Sequence, residues 1–138
     1  MPLSRRQFIR GAASAALVAP CFWIPVRGQT RKVRHASFGA GGQALSDINA
    51  FSKHPAFELV AVADVDLCRL DRVLERFPVV RVYQDWRELL KKEGRRLDSV
   101  NVSTPDHMHA LQAMAAMREG KHVYVQKPLA ATLRETRA

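Results

Sequence analysis

The chain has 138 residues, 47% of them apolar, 25% charged and 7% aromatic, with seven Gly and seven Pro. Such a composition belongs to ordinary globular domains and excludes collagen-like, disordered and disulfide-built proteins, while the length sets about one domain. The net charge of +9 is unevenly placed: residues 1–28 carry Arg5, Arg6, Arg10 and Arg27 and no acid, so the remaining 18 basic and 13 acidic residues leave +5. No basic stripe with interleaved aromatics is present, which argues against a nucleic-acid binder.

The first 28 residues read as an address. Ser4-Arg5-Arg6-Gln7-Phe8-Ile9-Arg10 precedes sixteen uncharged residues, Gly11 to Val26. A spanning helix needs about 20 strongly apolar residues, and this run is shorter, Ala-rich and broken by Pro20 and Pro25, so no stable membrane span is expected. The paired arginines followed after one residue by Phe resemble a twin-arginine signal, which engages an export machinery that carries folded proteins across the bacterial inner membrane. The expected location is periplasmic or secreted. Removal of the leader would take Cys21 and leave Cys68 alone, so no internal disulfide is expected.

Beyond the leader, patterns of period 2 and 3.6 alternate. They predict a strand over 32–38, although His35 and Ser37 are polar for a buried parallel strand. A helix follows on Ala44, Leu45, Ile48 and Phe51, then a strand over 57–63 and a helix lined by Leu67, Leu70, Leu74 and Phe77. Val79 to Tyr83 is a short third strand. Asp85-Trp86-Arg87-Glu88 resembles a capping box opening a helix that Gly94 ends. Leu97 to Val102 is a fourth strand, Ala110, Met114 and Met117 mark a fourth helix stopped near Gly120, Val123 to Val125 a fifth strand, and 132–137 a last helix. Short loops between alternating strands and helices imply right-handed crossovers: an α/β fold, a Rossmann-like doubly wound parallel sheet over residues 29–138. Ligand chemistry in such a sheet belongs at the carboxyl ends of its strands.

Three motifs fall there. Gly39-Ala40-Gly41-Gly42-Gln43-Ala44 is a G-x-G-x-x-A turn between the first strand and helix. A side chain at Gly39 would obstruct the turn, and one at Gly41 would block a pyrophosphate. Ala44 admits close helix packing, and the helix N-terminus offers N–H groups to phosphate. Asp64 closes the second strand 20 residues past Ala44, where a carboxylate can accept hydrogen bonds from a ribose; a helix-capping role, which Asp66 could share, competes with it. An acid there favours NAD over NADP, while Arg69 nearby keeps NADP open. Ser103-Thr104-Pro105-Asp106-His107-Met108-His109 follows the fourth strand. Bland roles exist for it: Thr104 or Asp106 as a cap, Pro105 as a first-turn proline, both histidines facing solvent. Histidines two apart on a helix diverge, and no metal site is expected. Val125-Gln126-Lys127-Pro128 ends the fifth strand, where Lys127 could move a proton of a substrate hydroxyl or be an ordinary surface lysine.

In this order and on these strand ends, the motifs resemble the nucleotide-binding half of the Gfo/Idh/MocA oxidoreductases, over residues 32–138. The resemblance implies a Rossmann domain for NAD or NADP, contacts from Gly39, Ala40, Gly41, Gly42, Gln43, Asp64, Thr104, Pro105, His109, Lys127 and Pro128, and Lys127 as proton-transfer residue toward a sugar or cyclitol hydroxyl. It also implies a second α/β domain that carries the substrate pocket and often builds a homo-oligomer. Asp106 stands where the family has Asn. Gln126 replaces Glu, removing an anion beside Lys127. The chain stops at Ala138, ahead of that second domain, so the expectation is an N-terminal fragment of an exported oxidoreductase acting on a carbohydrate, inactive alone. A non-catalytic dinucleotide-binding or partner-binding Rossmann module is the alternative.

Overall fold

The computed structural model describes residues 31–137, so the leader expected over 1–28 lies outside the described residues. Five strands, β1 (Val33–Phe38), β2 (Phe57–Ala63), β3 (Arg81–Tyr83), β4 (Ser99–Val102) and β5 (His122–Val125), form one sheet in the order β3-β2-β1-β4-β5. All neighbours are parallel. The strand order reverses direction between β1 and β4, the switch point where such sheets open a crevice.

Two apolar layers cover the sheet. On one face α1 (Gly42–Phe51) and α2 (Asp71–Arg76) enclose Ala40, Ile48, Leu59, Val62, Leu70, Val73 and Val80. On the other, α3 (Trp86–Glu93) and α4 (Asp106–Arg118) close over a second cluster that includes Phe38, Val60, Leu89, Leu97, Val100, Val102, Ala113 and Ala116. A short α5 (Leu133–Thr136) buries none of its residues. Two clusters, one per face, are what a doubly wound sheet requires, because each face must be removed from water.

Several boundaries differ from those the sequence suggests. β3 starts at Arg81 because Val80 is still in a turn, its N–H donating to Phe77 O, and Val79 is 89% exposed. Leu67–Leu70 is a 3-10 turn rather than the start of α2, and Leu70 and Val73 are the buried side chains here while Leu67 is exposed. The buried face of α4 is His109, Gln112, Ala113 and Ala116; Met117 is half exposed. At α3, Asp85 accepts from Arg87 N, but Glu88 pairs with Lys92, so the cap forms without the reciprocal bond. The complete capping box is at Thr132 and Glu135, ahead of α5.

His35 and Ser37 of β1 are buried and do not weaken the strand, because each has a partner. His35 reaches Ser99 Oγ at 2.8 Å and Asn101 Oδ1 at 3.0 Å, and Ser37 Oγ donates to Gly39 O at 2.7 Å. Burial without a countercharge pushes the His35 imidazole from 6.5 down to about 4, against the opposing pull of the Asn101 hydrogen bond.

Candidate cofactor site

The sheet ladder continues one residue past its strands and lines up the loops that follow them. Gly39 N–H donates to Ala63 O, Ser103 N–H to Phe38 O, Asp64 N–H to Tyr83 O and Gln126 N–H to Val102 O. The glycine turn, Asp64, the Ser103-Thr104-Pro105 loop and the Gln126-Lys127-Pro128 loop therefore stand side by side at the carboxyl ends.

Gly39 has φ +102°, and a Cβ there would sit 2.7 Å from Ser103 O and 3.0 Å from the Ala44 methyl. Only glycine allows β1, β4 and α1 to approach this closely. Gly42 has φ +51° with open space around it. Gly41 is the N-cap of α1 and brings no side chain to cap that end. Its missing Cβ faces Arg69, whose Cδ would lie 2.9 Å away. The stem of Arg69 thus leans over the turn, on an exposed side chain held by Asp66 at 3.1 Å.

A cleft of about 460 Å³ opens beside the turn, lined among others by Gly39, Gly41, Asp64, Trp86, Thr104 and Pro105, within the usual range for a small-ligand site. Asp64 is committed first to the backbone: Oδ2 accepts from Ala40 N–H at 2.8 Å and Oδ1 from Asp66 N–H at 3.0 Å. It thereby pins the glycine turn to the end of β2. Each oxygen keeps a second lone pair for a ribose hydroxyl. The Arg87 guanidinium lies 4.6 Å over the Trp86 ring, and among the described residues the buried indole N–H of Trp86 has no acceptor.

His109, one of the two histidines for which a solvent-facing role was open, is 1% exposed. Its Nδ1 lies 2.6 Å from Pro128 O and its Nε2 2.7 Å from Thr104 O, so the ring joins two of the predicted loops. Both partners are carbonyls, which only accept; a neutral ring donates to one at a time and an imidazolium to both. Thr104 Oγ1 donates to Gln112 Oε1 at 2.6 Å and completes this side. His107 lines the cleft and is exposed.

Gly39, Gly41, Asp64, Thr104 and Pro105 thus come together in the cleft, and Ala40 is joined to Asp64. Gly42 faces a smaller hollow beside Arg69 and Arg72. Gln43 points to Asp47, with Nε2 donating to Oδ1 at 2.9 Å. Lys127 is exposed at the end of β5, followed by a cis Lys127-Pro128 bond. Two residues escape the sequence motifs: Asp47, whose only signal is an acid on the apolar face of α1, and Trp86 as a cleft residue.

A hollow of about 360 Å³ sits at the opposite end of the sheet among Val33, His35, Phe51, Phe57, Ser99 and Tyr124, and one of about 530 Å³ lies among Trp86, Arg87, Leu90, Arg95 and Arg118. The hollow at the opposite end is lined by the first residues of β1, β2, β4 and β5 and, among the described residues, by no carboxylate and no glycine turn. Among the described residues no group of three or more His, Cys, Asp or Glu is placed to hold a metal, and no helix is long and apolar enough to cross a membrane.

The residues present fit a dinucleotide: a side-chain-free turn, an uncapped helix start, and a carboxylate with spare acceptor capacity. Comparison with known proteins agrees. Residues 33–138 match the Gfo/Idh/MocA model, described as an oxidoreductase family with an NAD-binding Rossmann fold. A glycosyl hydrolase family 109 protein of Stenotrophomonas maltophilia is 30% identical over 144 residues, spanning 96% of this chain and 31% of that protein. An alpha-N-acetylgalactosaminidase of Shewanella oneidensis is 34% identical over 112 residues, 75% of this chain and 24% of its own length. Among solved structures, the WlbA dehydrogenase of Bordetella pertussis in complex with NADH and UDP-GlcNAcA aligns with TM-score 0.69 and 26% identity, over 78% of this chain and 33% of that one. An Agrobacterium radiobacter oxidoreductase in complex with NAD+, L-tartaric acid and magnesium aligns with TM-score 0.70 and 25% identity, over 77% and 30%. The chain spans about a third or less of the length of these relatives. With its glycine turn, its Asp64 and its strand order in the places such a domain requires, the chain belongs to the Gfo/Idh/MocA oxidoreductase family and forms its NAD-binding Rossmann domain.

Proposed function

We propose that this chain is the nucleotide-binding part of an exported NAD-dependent oxidoreductase that acts on a carbohydrate hydroxyl. The observation that carries the reading is the Gly39–Gly42 turn, packed closely beside Ser103 and tied to Asp64 through Ala40 N–H. When bound, the nicotinamide cofactor supplies the hydride acceptor. The chain's own groups would hold it and meet the substrate hydroxyl. Gly41 and the first turn of α1 receive the diphosphate, Asp64 accepts from the ribose, and Thr104 and Pro105 wall the cleft. Lys127 Nζ takes the proton of the substrate hydroxyl. Asp64 and Asp66 favour NAD over NADP, since a 2′-phosphate would meet two carboxylates, and Arg69 is already engaged by Asp66.

Titration of the chain with NADH and NADPH, followed by nicotinamide fluorescence and by quenching of Trp86 in the cleft, tests this. Saturable NADH binding, at least tenfold tighter than NADPH, is expected; the absence of binding to either defeats the proposal. Export rests on Ser4 to Arg10, and an Arg5→Lys/Arg6→Lys chain that still reached the periplasm would contradict it.

The names of the curated relatives support a second reading, in which the chain belongs to a protein that cleaves a glycosidic bond. Relatives that carry the remaining length separate the two: accumulation of NADH marks oxidation, release of sugar without it marks cleavage.

A further inference from the structure

The dinucleotide reading leaves one buried feature unused, a column of polar side chains between β1, β4 and α1. Its bonds have a direction. Neutral His35 has one donating nitrogen: Nε2 gives its hydrogen to Asn101 Oδ1 at 3.0 Å, and Nδ1 accepts from the Ser99 hydroxyl at 2.8 Å. Asn101 Nδ2 donates to Ser103 Oγ at 2.9 Å, and the Ser103 hydroxyl donates to Asp47 Oδ2 at 2.7 Å. Asp47 also receives Gln43 Nε2 at 2.9 Å and Gln126 Nε2 at 3.0 Å from both of its oxygens. It is 7% exposed, and among the described residues no Lys or Arg pairs with it. Every donor converges on this carboxylate, which spends its acceptor capacity on neutral groups.

The partner at 126 is therefore restricted. An amide donates to Asp47; a carboxylate in its place would put two anions about 3 Å apart, an arrangement in which one holds a proton. We infer that Asp47 is the positioning residue of the Lys127 turn: by gripping the Gln126 amide it fixes where β5 delivers Lys127, and it requires glutamine rather than glutamate at 126. The inference deepens the proposed function and rests on the role given there to Lys127. Besides Asp47, the ionisable groups at this network are His35 through Asn101, the Tyr124 hydroxyl 3.4 Å from Gln126 Nε2, and Lys127 next in sequence.

The experiment compares the parent chain with Gln126→Glu, Asp47→Asn and the double variant. It reads thermal midpoints from pH 5 to 8 as differences from the parent, which cancels the titration of His35, and the NMR signals of the Lys127 amide and ε-methylene. In Gln126→Glu the folded pair keeps a proton that the unfolded chain releases, so its midpoint should fall relative to the parent by about 5 °C or more as pH rises, and the Lys127 signals should move. In the double variant the amide introduced at position 47 donates to the carboxylate introduced at position 126, so the pH slope should vanish and the Lys127 signals return. Asp47→Asn alone, which keeps the inference testable if Gln126→Glu does not fold, should move those signals without a slope. A Gln126→Glu chain with the parent's pH profile, a double variant as displaced as the single one, or Lys127 signals unmoved by Asp47→Asn would overturn the assignment. No dinucleotide is added, so failure here leaves the cofactor reading standing, and failure of NADH to bind leaves these signals readable.

Discussion

Gly39 and Gly41, two positions apart in the same turn, do different work. At Gly39 a Cβ would meet backbone, Ser103 O at 2.7 Å, in a left-handed conformation. At Gly41 it would meet only the side chain of an exposed arginine. Gly39→Ala is therefore expected to cost about 3 kcal/mol of stability in urea unfolding. Gly41→Ala should stay within about 1 kcal/mol of the parent, yet weaken NADH binding at least tenfold by filling the space a diphosphate needs. His35 predicts the acid response. Its folded-state pKa is depressed from 6.5 to about 4, so the unfolded chain binds more protons between those values. The stabilisation is complete above about pH 6.5 and is lost toward pH 4, at roughly 1.4 kcal/mol per pH unit. His35→Gln should flatten that slope in denaturation series; an unchanged slope would reject His35 as its source. The glycine turn and Asp64 were legible in the sequence because one steric requirement and one spacing specify them. Asp47 was not, because apart from Gln43, four residues earlier, its partners lie 56 and 79 residues away.

Among the elements, α4 shows where periodicity misleads. Ala110, Met114 and Met117 form an apolar line, but the helix turns His109, Gln112, Ala113 and Ala116 toward the sheet. Small alanines let it pack closely on β4 and β5, and the two polar residues on the same face bind the Thr104 and Pro128 loops. A pattern that counts apolar residues assigns such site residues to the wrong face. β3 is held to α3 by Glu93, which is 4% exposed and accepts from Arg81 Nη2 and Tyr83 OH, each at 2.7 Å. Desolvation alone would raise the Glu93 carboxyl, but the hydrogen bonds of Tyr83 and Arg81 and the Arg81 charge hold it below the usual range. Glu93→Gln keeps the size and loses an acceptor and the charge. It should cost about 2 kcal/mol in urea unfolding, and a variant as stable as the parent would show that the contact contributes nothing.

For the whole molecule, the strand order β3-β2-β1-β4-β5 explains why motifs separated by up to 88 positions, from Gly39 to Lys127, meet at one end. Alternating patterns foretold this sheet; strand ends and the 3-10 turn at Leu67–Leu70 did not follow from them, because they depend on where turns close. Two hollows lie at opposite ends of the sheet, and the dinucleotide proposed above would occupy the one beside the glycine turn. An NMR titration of the 15N-labelled chain with NADH decides between them. The predicted result is that amides of Gly39–Gln43, Asp64–Asp66 and Ser103–Thr104 shift together and saturate, while Val33, His54 and His122 stay in place. Shifts confined to that second set, or no shifts at all at saturating NADH, would contradict this placement.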